Sequence, residues 1–398
     1  MPAQQETPTQ TTDSNNLPYY DVIVIGAGIQ GAGVAQAAAL QGWSVLVVEQ
    51  FDGPAQGTSS KSSKLIHGGL RYLETAQFSL VKECLQEKAI LQKIAPKLVK
   101  PATFVIPVYK KNKRSPFWVG LGLWLYSLLG GSAPRKIASV LWKNFPHLNT
   151  QNLRAMYSYE DAQTDDAALT RAVLAAAQED DAEILYSTEV NAINKMGEGY
   201  KVNTNRGGFT CATVVNAAGP WVNTIAGRCT FGAPMIDVDL VQGAHIVLDT
   251  PAFEQCFYFE SPDDGRAVFT LPWKGKTMVG TTETHFTGDP KTCAPTAHEE
   301  AYLKRAFDFY FPALANVKVL ESFAGLRVLP MAEGSATKRA RDTRIVFDNN
   351  VDTMKGYYAI YGGKLTGYRA TAEKVVQCMA PVLGHSATLV STKNIHLN

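Results

Sequence analysis

Apolar positions first cluster at Asp21 to Ile25 (DVIVI), a β-branched run of strand type that Gly26 closes. From Gly33 the segment GVAQAAALQG is rich in helix formers as far as Gly42, and a second apolar run, SVLVV from Ser44 to Val48, comes after it. The predicted order is strand, glycine turn, helix, strand. Further along, Thr213 to Ala218 reads as a short strand stopped by Gly219 and Pro220, an abrupt end at which a ligand can approach backbone. Tyr357 to Tyr361 (YYAIY) reads as another, broken by Gly362 and Gly363 before a helical stretch from Thr366 to Met379. Between these, residues 241 to 248, 266 to 271 and 276 to 282 alternate or run apolar, with Gly and Pro between them, as strands of an antiparallel sheet do. Residues 1 to 18 are rich in Gln, Thr, Ser, Asn and Pro and lack an apolar core, so they read as a disordered tail rather than a signal peptide.

The turn after the first strand carries chemistry. Gly26, Gly28 and Gly31 have the G-x-G-x-x-G spacing: one glycine for the tight turn, one for close approach of backbone to a pyrophosphate, one for packing helix on sheet. The helix N-terminus then faces the phosphates. Glu49 ends the second strand about 20 residues on, where an acid accepts the ribose hydroxyls and disfavours the 2′-phosphate of NADP. Four agreeing parts make this a dinucleotide site. Beyond the second strand lies GTSSKSSKLIHGGLRYLE, Gly57 to Glu74, where a simple NAD dehydrogenase would place another α/β crossover. Such a loop can run beside a pyrophosphate and on to a flavin, with Ser59, Ser60, Ser62 and Ser63 supplying hydroxyls; its composition equally suits a solvated Ser/Lys loop.

Composition narrows the class. With 398 residues, 45% of them hydrophobic, the chain can bury the core of two domains or one large one. A net charge of +2 argues against a nucleic-acid partner. The cysteines at 84, 211, 229, 256, 293 and 378 form no C-x-x-C pair, so neither a disulfide framework nor a metal site is implied and a reducing compartment is the default. The most hydrophobic stretch, Pro116 to Gly131, is too short and glycine-rich for a spanning helix, which needs roughly 20 apolar residues. Lys110, Lys111, Lys113 and Arg114 precede it and Arg135 and Lys136 come after, which suits either a helix lying on an anionic bilayer or a packed helix with solvated flanks.

The loop from Gly57 to Glu74 closely resembles the corresponding segment of the FAD-dependent glycerol-3-phosphate dehydrogenases, in the D-amino-acid-oxidase-like superfamily. The likeness continues, in the family's order, through KLVKPATFVIPVY (Lys97 to Tyr109), VNAAGPWV (Val215 to Val222), VQGAHIVL (Val241 to Leu248), LPWKGKTMVGTTET (Leu271 to Thr284), FAGLRVLP (Phe323 to Pro330) and YGGKLTGYRATAE (Tyr361 to Glu373). It implies an α/β fold (α+β overall) with a Rossmann-like FAD-binding domain and a second, mainly antiparallel substrate domain. The FAD-binding domain is expected from residues 19–75, 155–235 and 345–398, around a mainly parallel sheet with helices on both faces, and the substrate domain from 76–154 and 236–344.

FAD, held non-covalently, is implied to contact Gly26, Gly28, Ile29, Gln30, Gly31 and Glu49; Thr58, Ser59, Ser60, Ser63, Lys64, Leu65, His67 and Gly68; and Gly219, Gly363, Lys364, Leu365 and Thr366. In this superfamily the second helix start faces the flavin pyrimidine carbonyl, where partial positive charge favours the reduced ring. The resemblance assigns Arg71, Arg327 and Lys364 to a substrate phosphate and its neighbourhood, with Arg327 also placed to stabilise charge on the reacting oxygen; His245 and His67 suit substrate contact or proton acceptance, or else a hydrogen-bonded structural role, which the residues alone favour. The implied reaction is oxidation of sn-glycerol 3-phosphate to dihydroxyacetone phosphate by hydride transfer from C2 to flavin N5, with a quinone as final acceptor. An amine or 2-hydroxy-acid oxidase of the same superfamily, or a flavin-bound protein without chemistry, are the alternatives; three basic residues favour a phosphate over a carboxylate. The family commonly has Asp where this chain has Glu283 and Pro where it has Val328, which leaves substrate detail open. Aerobic bacterial members carry a further helical C-terminal domain that this sequence, ending at Asn398, is expected to lack, together with quinone or oligomer contacts tied to it. The expected location is cytoplasmic, with peripheral attachment to the cytoplasmic face of the inner membrane through the Lys110 to Lys136 segment as the variant of it. No motif speaks to oligomeric state.

Overall fold

A computed structural model of the chain describes residues 17–197, 199–331, 343–350, 355–384 and 388–397. Apart from Leu17 and Pro18, the tail expected over residues 1 to 18 lies outside the described residues. Two sheets organise the rest. In the first, Tyr19–Ile25 lies between Val45–Val48 and Gly207–Asn216, all parallel, and the ladder continues in parallel to Glu183–Leu185 on one side and Lys355–Tyr361 on the other. Arg344–Asn350 adds an antiparallel edge. Val22, Ile23 and Val24 are wholly buried because both faces of this sheet are covered, which is why the strand reads as an unbroken apolar run.

The covers differ from expectation. Helices Ile29–Ala39, Asp166–Glu179 and Tyr368–Met379 pack on one face, around Val22, Val24 and Val47. The other face, with Ile23, Ile25, Leu46 and Val48, is covered instead by the antiparallel strands Val190–Met196 and Gly199–Thr204, which continue from the start of Gly207–Asn216, and by the short helix Val222–Gly227. Val190, Val202 and Tyr200 supply the apolar surface that a crossover helix supplies elsewhere.

The second sheet is ten-stranded and almost wholly antiparallel. Its long members are Val99–Tyr109, Leu153–Thr164, Val238–Pro251 and Val319–Pro330. Side chains alternate between two layers: Phe104 and Ile106 pack with Leu85, Leu123 and Tyr126, while Val105 packs with Phe257, Phe259, Leu303 and Phe307. Helix Ala297–Tyr310 carries the last two and starts with a capping box between Thr296 and Glu299. Leu153–Thr164, which begins near the expected boundary at residue 155, hydrogen-bonds in this sheet, and so does the short strand Leu65–Ile66 within the loop from Gly57 to Glu74. That loop therefore leads from one sheet to the other. Among the described residues no helix is long and apolar enough to cross a membrane, and no cluster of His, Cys, Asp and Glu could hold a metal ion.

Candidate active site

Parallel pairing brings the strand ends together: Ile25 stands opposite both Val48 and Asn216, so Gly26, Glu49 and the Ala217 to Gly219 turn meet at one rim of the first sheet. Gly26 has φ +103°, and a Cβ there would lie 2.9 Å from the Ala217 carbonyl oxygen. The Glu49 carboxylate closes the turn, accepting the Ala27 N–H at 2.7 Å and the Phe51 N–H at 3.1 Å. Burial pushes its pKa up, against the pull of these N–H groups. Helix Ile29–Ala39 begins on Gly28, which has no side chain to cap it; Ser59 of the Gly57 to Glu74 loop accepts the Ile29 N–H at 2.9 Å instead.

That loop is fastened along its length. Thr58 donates to the Leu326 carbonyl at 2.7 Å, and Ser63 Oγ lies 2.9 Å from His245 Nε2, so both reach strands of the second sheet. Ser62 donates to Asp166 at 2.7 Å, and Lys64 forms an ion pair with the same carboxylate at 2.7 Å, its side chain only 4% exposed.

A cleft of about 770 Å³ opens where the two sheets meet the loop. Gly26, Gly28, Ile29, Gln30, Glu49, Thr58, Ser59, Ser63, Leu65, His67, Gly219, Gly363, Lys364, Leu365 and Thr366 line it, and so do Arg71, His245 and Arg327. Four residues expected to touch the cofactor do not reach it. Lys64 is turned to Asp166 because a buried ammonium needs a counter-charge. Gly31 packs against the turn, where a Cβ would strike the Gly26 carbonyl. Ser60 closes its own turn onto the Gly57 carbonyl. Gly68 gives its N–H to the Tyr126 hydroxyl, away from the cleft.

The basic groups come from three directions. Arg327 projects from Val319–Pro330, with Nη2 3.0 Å from Thr281 Oγ1 and Nη1 3.8 Å from Glu283 Oε1. Gly243, on the neighbouring strand, makes room for it: a Cβ there would lie 2.6 Å from Arg327 Nη2 and Thr281 Oγ1. Glu283 also pairs with Arg266, and the Glu299 carboxylate steadies this loop by accepting from Thr282, Thr284 and Gln242. Lys364 holds its ammonium 4.2 Å above the Tyr72 ring. Arg71 belongs to the short turn Leu70–Thr75 and lines the cleft together with Tyr258.

Both histidines are held neutral. His245 is 2% exposed and stacked on Phe323 with centroids 5.0 Å apart; burial, then Arg327 and Lys64, push its pKa down to about 3. Burial lowers His67 as well, with Asp161 opposing and Lys364, Lys88 and Arg71 adding to the fall. Residues not singled out from sequence also line the cleft: Phe51 and Trp221, edge to face at 5.6 Å, then Thr188 to Val190, Tyr258 and Thr281. Trp221 lies inside VNAAGPWV, where a bulky ring after a chain reversal was a usable signal; Thr188 to Val190 carry no pattern that marks them.

The cleft suits a polar dinucleotide. Among the described residues, three buried polar atoms of its lining, Gln30 Oε1, Trp221 Nε1 and His245 Nδ1, have no protein partner, which is costly unless a ligand or water supplies one. The Gly26 turn, the Gly28 helix start and Glu49 would hold its phosphates and ribose, and the loop residues Ser59 and Ser63 would flank its path toward the basic groups.

Comparison with known proteins agrees with this geometry. The family described as FAD dependent oxidoreductase matches residues 21–372. The chain is 34% identical over 386 residues to the aerobic glycerol-3-phosphate dehydrogenase of Staphylococcus haemolyticus (strain JCSC1435), an alignment that covers 91% of this chain and 67% of that protein. The X-ray structure of the glycerol-3-phosphate dehydrogenase from Bacillus halodurans, complexed with FAD, is similar with a TM-score of 0.75 and 29% identity, over 96% of this chain and 68% of that one. L-alpha-glycerophosphate oxidase from Mycoplasma pneumoniae, with FAD bound, has a TM-score of 0.76 over 96% of this chain and 99% of its own, and at 20% identity that likeness bears on the fold alone.

Proposed function

This chain belongs to the FAD-dependent oxidoreductases of the glycerol-3-phosphate dehydrogenase type, and from that premise we propose that it oxidises sn-glycerol 3-phosphate at C2 to dihydroxyacetone phosphate and passes the electrons to a quinone. The observation that carries the proposal is the convergence of Arg71, Arg327 and Lys364 on one cleft with the glycine turn. A phosphate dianion needs several donors, and a guanidinium offers two in one plane. FAD bound in the cleft supplies the two-electron acceptor for the hydride that leaves C2. The protein's part is to seat the phosphate, aim C2 and receive the hydroxyl proton.

Arg327 is oriented for the first task by Thr281 and Glu283. For the last, His67 is the stronger choice: Asp161 counters the lowering of its pKa, whereas His245 is pushed to about 3 and has Nε2 against Ser63. His245 then serves as a neutral hydrogen-bonding wall through Nδ1.

Peripheral attachment to the cytoplasmic face of a membrane is part of the same reading. Helix Pro116–Leu128 buries Leu123 and Tyr126 and leaves Phe117, Trp118, Trp124 and Leu128 more than half exposed. Lys110, Lys111, Arg135 and Lys136 are exposed beside this surface, while Arg114 is taken up by Glu74 and Glu260. Aromatic and aliphatic residues with basic flanks fit the interface of an anionic bilayer.

The test is anaerobic mixing with glycerol 3-phosphate, glycerol, 2-hydroxy acids and amino acids while monitoring flavin bleaching near about 450 nm. Rapid bleaching by glycerol 3-phosphate alone is expected. Equal rates with glycerol, or bleaching by an amino or hydroxy acid only, overturns the substrate assignment.

A further inference from the structure

Helix Pro116–Leu128 sends two side chains fully inside, Leu123 and Tyr126. Leu123 packs on apolar neighbours. Tyr126 carries a hydroxyl into the same layer, and there the hydroxyl accepts the Gly68 N–H at 2.8 Å and donates to the Asp161 carboxylate, 2.9 Å from each oxygen. Asp161 stands on Leu153–Thr164 and is paired at 2.8 Å with Lys88 of helix Phe78–Ile94. Chemistry sets the direction of this chain. Burial and the Asp161 charge hold the Tyr126 phenol protonated, well above its ordinary pKa, so its proton goes to the carboxylate and a lone pair remains for Gly68.

Gly68 is shaped for the contact: a Cβ there would lie 2.6 Å from the phenol oxygen. On its other side the His67 N–H is 3.1 Å from Thr366 Oγ1. His67 and Gly69 line the cleft; Tyr126 does not. The backbone that carries His67 is thus held at two successive N–H groups, by a residue of the cleft and by one outside it.

We infer that Tyr126 is a positioning residue of the active site, fixing the His67 to Gly69 turn through the Gly68 N–H with Asp161 and Lys88 as its anchor. The inference rests on the reading of the cleft as the flavin and substrate site. A buried N–H deprived of its acceptor moves to find another, and a small displacement of a proton-accepting group is costly to turnover.

The experiment compares wild type, Tyr126→Phe and Leu123→Ala in the full chain. Tyr126→Phe removes one oxygen and keeps the ring's edge-to-face contact with Tyr159, at 5.9 Å, so folding is preserved. Leu123→Ala removes packing from the same helix and leaves the hydroxyl alone. Amide hydrogen exchange across residues 65 to 72, FAD affinity of the apoprotein, and flavin reduction at limiting and saturating glycerol 3-phosphate are measured in each. Tyr126→Phe should exchange the Gly68 amide about tenfold faster or more. It should also lower the saturating reduction rate roughly tenfold to a hundredfold, with KM within about twofold. Leu123→Ala should lower Tm with neither change. Wild-type exchange and turnover in Tyr126→Phe, or the same losses in Leu123→Ala, overturns the inference. If glycerol 3-phosphate fails to reduce even the wild type, the substrate reading falls, and the exchange comparison still decides the role of Tyr126.

Discussion

Replacing Arg327 by Lys keeps a positive charge on Val319–Pro330 and removes the planar fork. In the structure one arm of that fork meets Thr281 Oγ1 at 3.0 Å and the other faces Glu283 at 3.8 Å, so the guanidinium plane is set before substrate arrives. A lysine ammonium has one charge centre and a flexible stem; it can satisfy Glu283 or a phosphate oxygen, not both with the same alignment. A charge-assisted contact in a dry site would cost more, but this side chain is 36% exposed and solvent screens it. The expected loss in kcat/KM for glycerol 3-phosphate is therefore about 2 to 3 kcal/mol, or roughly 30-fold to 150-fold. With unphosphorylated glycerol the loss should be small. FAD content should not change, because the Gly26 turn and Glu49 end strands of the first sheet whereas Arg327 stands on the second. The assay is anaerobic stopped-flow reduction of the flavin by both alcohols in wild type and Arg327→Lys. Equal losses for the two alcohols, or none with the phosphorylated one, refutes a phosphate-binding role.

Acid precipitation of the purified protein should release intact FAD; flavin left on the polypeptide would contradict non-covalent binding. Lys64→Met leaves the Asp166 carboxylate buried and unpaired, and should cost about 3 to 5 kcal/mol in chemical denaturation, with a much smaller loss pointing to water reaching Asp166. His245 is depressed from 6.5 to about 3 in the folded chain, so the unfolded chain binds the extra proton first and this contribution to stability is lost as pH falls from 6.5 toward 3. His245→Gln should accordingly show a shallower fall in Tm between those pH values than wild type, and parallel curves would show that His245 is not the group responsible. Trp118→Ser with Trp124→Ser should shift the protein from anionic liposomes to the supernatant at low salt, whereas a wild type that never co-sediments assigns the exposed face another role.

Local pattern reached far into this molecule. The run DVIVI, the three glycines, the second run and Glu49 specify a strand, a turn that only glycine can make and an acid at the next strand end, because backbone sterics and side-chain period act within a few residues. The same holds for the strand stops at Gly219 and Gly362. Choices between equal local options were made by the tertiary structure. Ser62, Ser63 and Lys64 are alike in a polar loop, yet Ser63 meets His245, while Ser62 and Lys64 bind Asp166, about a hundred residues away. Gly243 reads as an ordinary strand glycine until Arg327 is seen filling the space beside it. Tyr126 is one more aromatic in a hydrophobic run, and only the meeting of helix, strand and loop gives its hydroxyl two partners. Helices were expected on both faces of the first sheet, and on one of them antiparallel strands share the cover with the short helix Val222–Gly227, since either can bury the same apolar face. Such pairings depend on which buried charges and hydroxyls find partners once the two sheets close on each other. That is a property of long-range packing and desolvation, which no window of the chain contains.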